Sequence, residues 1–436
     1  MADPRRPPRH ELLAALLLGA MIVVTGLCVV VDTARLAAGA LAWTAAALLV
    51  HRLSVRQRVA TAALCTLGLI AIVWTAAAGH PPDWRAMLAA NQPLIGMLAA
   101  VSFLRLVAPA RSPAAMVPTG RGGVWQTMLG LHLFGSVINI PAVDMVGDRF
   151  TATNRRLEQG HFLLLSRAYS SAAFWSPFWG AAAAALTYAP AARVEVLMAV
   201  GACLAASALV ISGVTVTRAF GPRLGEFRGY PLTVRSLAAP VTLVVLVLSV
   251  HLVLPEIPIV AIITIAAPLL ALLLVTLAAP RAMPQRVAGH ALRQLPAMSG
   301  ELFLFLSAGL LVAGVSPVAG GAAGWLPIAT FSAWEAWGLV GIMAAVSGLG
   351  LHPVISIAIS ASVLSPLQPD PTLFAMAGLI AWGLQGAGGP LSGLNVVLQG
   401  RYGIDSFTMA RWNLKYVGAM LLLAGGALAL CQRLAR

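Results

Sequence analysis

The chain has 436 residues, 59% of them hydrophobic and only 10% charged, where a soluble globular chain carries about 25% charged residues. This excludes an ordinary soluble domain. The net charge of +14 does not signal nucleic acid either, because the arginines fall in short loops between apolar spans, as the positive-inside bias requires.

Taken in order, Arg5, Arg6 and Arg9 precede an apolar stretch from Leu12 to Val31. It is longer than a signal-peptide core and reads as a retained helix. Spans of roughly 20 apolar residues continue at 36–50, 59–79 and 88–108, with Arg52, Arg56 and Arg58 after the second and Arg105 and Arg111 closing the fourth. All these arginines are expected in the cytoplasm, with the N-terminus. The segment 122–147 has Arg121 before it and Arg149, Arg155 and Arg156 after it, so both ends want one side. With Asn139-Ile140-Pro141 at its middle, it reads as a re-entrant hairpin.

The next span, 161–188, is interrupted at Ser170-Ser171 and at Trp175-Ser176-Pro177, and 194–216 leads back to a cytoplasmic linker, 218–236, rich in arginine. Spans follow at 237–254, 257–279 and 299–318. The segment 335–366, broken around Gly348-Leu349-Gly350-Leu351-His352-Pro353, reads as a second hairpin, entered from outside. An interrupted span at 373–399 and a last helix at 412–431 leave the C-terminus outside. Four glycines and a proline in Gly383–Pro390 remove helical order inside an otherwise apolar segment.

The expected fold is therefore an all-α polytopic membrane protein with about 11 transmembrane helices and two re-entrant hairpins. Its divisions are 1–58, a first repeat over 59–217, the linker 218–236, and a second repeat over 237–436. Pro141 and Pro353 are 212 residues apart, and Pro177 and Pro390 are 213 apart. With hairpins opening to opposite sides, the repeats are inverted, as in secondary transporters, whose sites lie at paired helix interruptions. Cys28, Cys65, Cys203 and Cys431 stand singly, so neither a metal site nor a disulfide is expected. No HExxH, Walker A or GxSxG motif is present, which argues against an enzyme with a cofactor.

This organisation, over about residues 60–431, resembles the ion transporter superfamily of divalent-anion:sodium symporters and citrate and arsenite permeases. The resemblance rests on Gly135-Ser136-Val137-Ile138-Asn139-Ile140-Pro141 and Ser347-Gly348-Leu349-Gly350-Leu351-His352-Pro353 as hairpin tips. Ser170-Ser171, Ser176-Pro177 and Gly389-Pro390-Leu391-Ser392-Gly393-Leu394-Asn395 stand as helix breaks. It implies substrate binding by Ser136, Asn139, Ser170, Ser171, Ser176, Gly350, His352, Gly389, Ser392 and Asn395. It also implies elevator-like movement against a scaffold that forms a homodimer.

From the residues themselves, Ser170, Ser171, Ser176, Ser392 and Asn395 are polar groups beside unwound backbone, fit to bind an anion or simply to satisfy freed backbone. Arg167, one turn before the first break, is either a counter-charge for an anion or a snorkelling side chain. Asp144 and Glu301 are candidate coupling acids, although Glu301 also suits a helix start. His352 is a titratable ligand or a strut; His132 and Glu335 carry weaker signals. The leading expectation is a secondary transporter in the inner membrane that carries a small anionic solute, a carboxylate, and couples to H+ or Na+. A cation/proton antiporter using Asp144 and Glu301 is the second reading, and an intramembrane enzyme the third.

Overall fold

The computed structural model describes residues 8–107, 117–154, 156–231, 234–319 and 328–435. Arg5, Arg6, Arg111 and Arg155, used above to orient the spans, and residues 232–233 of the linker lie outside them. Among the described residues the chain is helical throughout, apart from turns and one isolated bridge between Thr119 and Arg228.

Helices α1 (Arg9–Leu27), α2 (Ala34–Leu49) and α3 (Val55–Ala77) occupy the first three expected spans. The fourth span, 88–108, is not continuous. It is divided into α4 (Trp84–Ala89), α5 (Gln92–Val101) and a 3-10 turn over 102–107. Asn91 takes a left-handed φ of +56° between the first two, and its Nδ2 donates to the Phe305 carbonyl at 2.8 Å. A short amide side chain tolerates that conformation better than most.

The expected first hairpin is the helix-turn-helix of α6 (Gly120–Ile138) and α7 (Ile140–Thr153), and the first interrupted span is α8 (Gln159–Ser170) with α9 (Gly180–Tyr188). Then come α10 (Val194–Phe220), α11 (Val234–Val253) and α12 (Ile259–Ala278). The loop carrying Arg286 and Arg293 folds as a further helix, α13 (Met283–Ala297). It buries His290, Leu295 and Pro296 and exposes both arginines, the amphipathic pattern of a surface helix. After α14 (Ser299–Ala319), the segment expected as the second hairpin forms α15 (Ala333–Gly348) and α16 (Pro353–Leu364) joined by a turn, and the second interrupted span forms α17 (Pro371–Gly388) and α18 (Gly393–Tyr402). The last helix is α19 (Ser406–Ala435).

Eight helical stretches among the described residues are long and apolar enough to cross a membrane. Of the other expected spans, two are the interrupted helices and the third is α11, whose apolar part, Ala238–Val253, is shorter.

The chain forms two compact units, each assembled from both halves of the sequence. One comprises Met1–Ala108, Thr242–Leu326 and Ala358–Pro366; the other comprises Pro109–Val241, Pro327–Ile357 and Leu367–Arg436. In the first unit α3 and α14 approach backbone to backbone. A Cβ on Gly68 would lie 3.0 Å from the Leu311 nitrogen, and one on Gly314 2.7 Å from the Gly68 carbonyl oxygen, the close small-residue contact that packs helices in lipid.

In the second unit α17 is the central element. Every residue from Thr372 to Ala387 is buried, as a helix that is apolar all round demands. Its neighbours include α8, α9, α10, α15 and α19. At the open end of the α6–α7 hairpin, Phe150, His161, Phe220 and Phe227 stack with ring centroids 4.9–5.7 Å apart. Gly229 donates to the Pro118 carbonyl at 2.8 Å and ties the linker strand there.

Candidate functional site

Both hairpin turns and both helix breaks belong to the second unit. The first turn forms because Asn139 reverses the chain with φ +62°, ψ −144°, and Pro141 then starts α7 in the first-turn position that proline favours. This turn is fastened to the break between α8 and α9. Asn139 Nδ2 donates to the Phe178 carbonyl at 3.3 Å and Trp179 Nε1 to the Gly135 carbonyl at 2.7 Å. Ser176 Oγ donates to the Ser136 carbonyl and accepts the Phe178 amide at 3.3 Å. Ser136 Oγ donates to Leu133 O at 2.9 Å.

His132 makes a further tie that the sequence hardly signalled. Its Nδ1 lies 3.0 Å from both the Ala168 carbonyl and Ser171 Oγ, and its Nε2 accepts Trp175 Nε1–H at 3.0 Å. An acceptor at Nε2 and a carbonyl at Nδ1 fix a neutral ring with its proton on Nδ1.

The first break runs through a 3-10 turn at 171–174 and irregular backbone to Trp179. Its contact with α17 is made at glycines. A Cβ on Gly386 would lie 2.8 Å from Ser170 Cβ, and one on Gly383 2.3 Å from the Phe174 ring. Nothing larger than hydrogen fits at Gly383 without moving that ring.

The second break is shorter, covering Gly389–Ser392 between α17 and α18. Ser392 caps α18 by accepting the Asn395 amide at 3.1 Å, and donates its own proton to Gly386 O at 3.1 Å. Asn395 is fully buried; its Nδ2 donates to Ala387 O at 3.2 Å and Gly389 O at 2.9 Å, while its Oδ1 has no hydrogen-bond partner among the described residues. Against this break lies the second hairpin turn. Gly350, at φ +102°, packs on Leu391, and the His352 ring meets Trp382 edge-on at 4.8 Å.

The structure thus joins Ser136 to Ser176 and Asn139 to Phe178, Ser170 to Gly386 and onward to Gly389, Ser392 and Asn395, and Gly350 and His352 to Leu391 and Trp382. The serines spend their protons within the protein. Ser170 donates to Ser166 O at 2.6 Å and Ser171 to Ala168 O at 3.1 Å, so both, like Ser136, Ser176 and Ser392, have only lone pairs left to offer.

The candidate coupling acids are elsewhere. Asp144 lies 3.5 Å from Arg401, whose guanidinium also holds Asp148 bidentately at 3.0 and 2.7 Å. This cluster docks α7 on α18. Glu301 belongs to the other unit, in the first turn of α14, beside an apolar pocket lined by residues including Leu18, Ile95, Leu295 and Phe305.

Arg167 does not snorkel. At 3% exposure it is the one Lys or Arg side chain buried among the described residues. Its Nε donates to Asn413 Oδ1 at 2.7 Å and its Nη2 to Trp412 O at 3.2 Å, while Cζ lies 4.7 Å from the Tyr416 ring centroid. Asn413 in turn reaches Ser166 Oγ at 3.4 Å. Asn413 and Tyr416 escaped the sequence reading; a polar pair three residues apart in an apolar last helix was their only signal.

Fold and apolar helices together define an all-helical membrane protein. No protein-family model matches the chain, and no curated protein matches it.

Proposed function

We propose that this protein is a secondary transporter that carries a small organic anion, a carboxylate, by elevator-type alternating access coupled to H+ or Na+. One observation carries the reading: two interrupted helices, one from each half of the chain, pack together in one unit with a hairpin turn against each break. In hydrocarbon, unpaired backbone costs several kcal/mol per group and persists only where protein or a water-filled cavity shelters it. Paired interruptions in two halves are where transporters of this design bind their substrate and coupling ion.

The division of polar groups supports a two-part site. Asn395 Oδ1, a buried acceptor with no donor among the described residues, suits a cation, whereas a buried guanidinium suits an anion. The sodium symporters this chain resembles carry a Ser-Asn-Thr signature at the hairpin tip, and the tips here do not, so sodium and protons stand equally as the coupling ion. The antiporter reading is less favoured, because Asp144 is paired with Arg401 and Glu301 belongs to the unit without the breaks.

Reconstituted protein in liposomes tests the proposal. Accumulation of a carboxylate driven by an imposed pH or sodium gradient is the expected result. Dissipation of either gradient with no solute moved would favour the antiporter, and no movement of solute or ion would overturn transport.

A further inference from the structure

We propose that Arg167 is the charge-recognition group of the substrate site and that it selects a monocarboxylate; this rests on the transporter reading and names its substrate class. A buried charge is tolerated when an opposite charge or a full set of hydrogen bonds compensates it. Arg167 has five N–H donors but uses two, Nε toward Asn413 Oδ1 and Nη2 toward Trp412 O, both neutral acceptors. Among the described residues its Nη1 makes no hydrogen bond and no carboxylate lies within ion-pair distance. The guanidinium also lies over the face of Tyr416, itself 2% exposed, whose hydroxyl is buried with no hydrogen-bond partner among the described residues.

The guanidinium lies over the Tyr416 ring, Cζ 4.7 Å from its centroid, so two neighbouring side chains each keep an unspent donor in a region where the serines have given their protons away. An anion supplies what both lack, since a carboxylate accepts charge-assisted hydrogen bonds at either oxygen. The position ties this group to the breaks. Asn413 bridges Arg167 to Ser166, Ser166 O accepts from Ser170, and Ser170 packs on Gly386 in the turn before the second break. Because Arg167 is the one buried Lys or Arg among the described residues, it neutralises one negative charge. A second carboxylate would enter with no counter-charge, at the cost of desolvating it.

The test heats the full-length protein in detergent with potassium acetate, lactate, succinate or chloride at one ionic strength. Acetate or lactate should raise the thermal midpoint more than chloride does, and succinate should raise it no further. Arg167→Gln should abolish the shift, and Arg167→Lys should keep part of it. Tyr416→Phe, which removes only an oxygen, should weaken the apparent affinity about 10- to 100-fold, the value of one hydrogen bond to a charge.

An undiminished shift in Arg167→Gln, stabilisation by succinate alone, or no shift in the wild type overturns the inference. If Arg167→Gln does not fold, an unaltered affinity in Tyr416→Phe overturns it instead. The transport reading is judged separately. Wild-type uptake with an unchanged KM in Arg167→Gln would sink this assignment and leave transport standing. A shift dependent on Arg167 without any uptake would do the reverse.

Discussion

Asn395→Ala separates a ligand from a strut. The substitution removes Nδ2, which donates to Ala387 O and Gly389 O. Gly389 O keeps the Ser392 amide at 3.0 Å, so the loss falls mainly on Ala387 O. A buried carbonyl left without its donor costs about 1–3 kcal/mol. The same substitution also deletes Oδ1, an acceptor buried with no partner among the described residues, and relief of that orphan is worth about the same. The Ser392 cap of α18 remains, because it binds the backbone of residue 395 and not its side chain. The two effects nearly cancel, and stability should move by less than about 2 kcal/mol. Transport should not be spared. If Oδ1 is a ligand of the coupling cation, losing even 1.4 kcal/mol of binding is a tenfold loss, so initial uptake at limiting gradient should fall at least about tenfold. Thermal midpoints in detergent at one scan rate and uptake in liposomes, measured on the same preparation, check both halves. A folded variant that transports at the wild-type rate would refute the ligand role, and a variant that cannot fold would show that Asn395 is a strut.

Gly386→Val should destabilise the second unit by about 1–3 kcal/mol, the cost of overpacking, because even its Cβ would come within 2.8 Å of Ser170 Cβ; a lowered thermal midpoint checks this. The Asp148–Arg401 pair has side chains 30% and 44% exposed, so an Asp148→Asn/Arg401→Gln cycle should give a coupling of about 0.2–1 kcal/mol after solvent screening. A value several times larger would mean that lipid shields the pair. Glu301→Gln should leave the KM for solute unchanged, since Glu301 belongs to the unit without the breaks; a changed KM would return it to the site.

The breaks were legible because their causes are local. Helices end at Asn139 before Ile140-Pro141 and at Gly389 before Pro390, but Gly383, Gly386 and Gly388, expected to remove helical order, lie within α17, whose burial on all sides outweighs the weak helix propensity of glycine. The helical nature of the loop around Arg286 was in the sequence too, as an amphipathic period, but it was hidden by reading its arginines only for topology. The interruption at Asn91 was not legible. Its stabilising partner is the Phe305 carbonyl, 214 residues away, and no local rule turns an isolated Asn into a left-handed break. The proton bookkeeping of the serines was equally hidden, because a serine beside a break looks the same whether its hydroxyl faces a ligand or the preceding turn.

Asp144 and Arg167 make the same point about charge. Each looked like a lone ionisable group in an apolar stretch, and on sequence grounds each was a candidate for function for the same reason, the cost of an unpaired charge away from water. What divides them is whether an opposite charge folds back. Asp144 and Asp148 lie one turn apart on α7, where a single guanidinium from α18 reaches both, and the acid that seemed poised to carry a proton becomes a fastening between two helices. Arg167 is met from 246 residues away by an amide, Asn413, and among the described residues no opposite charge compensates it. A buried cation left in that condition is stable to the extent that something supplies the missing anion. For that reason the substrate assignment rests on Arg167, and Asp144, which already has its partner, drops out of it.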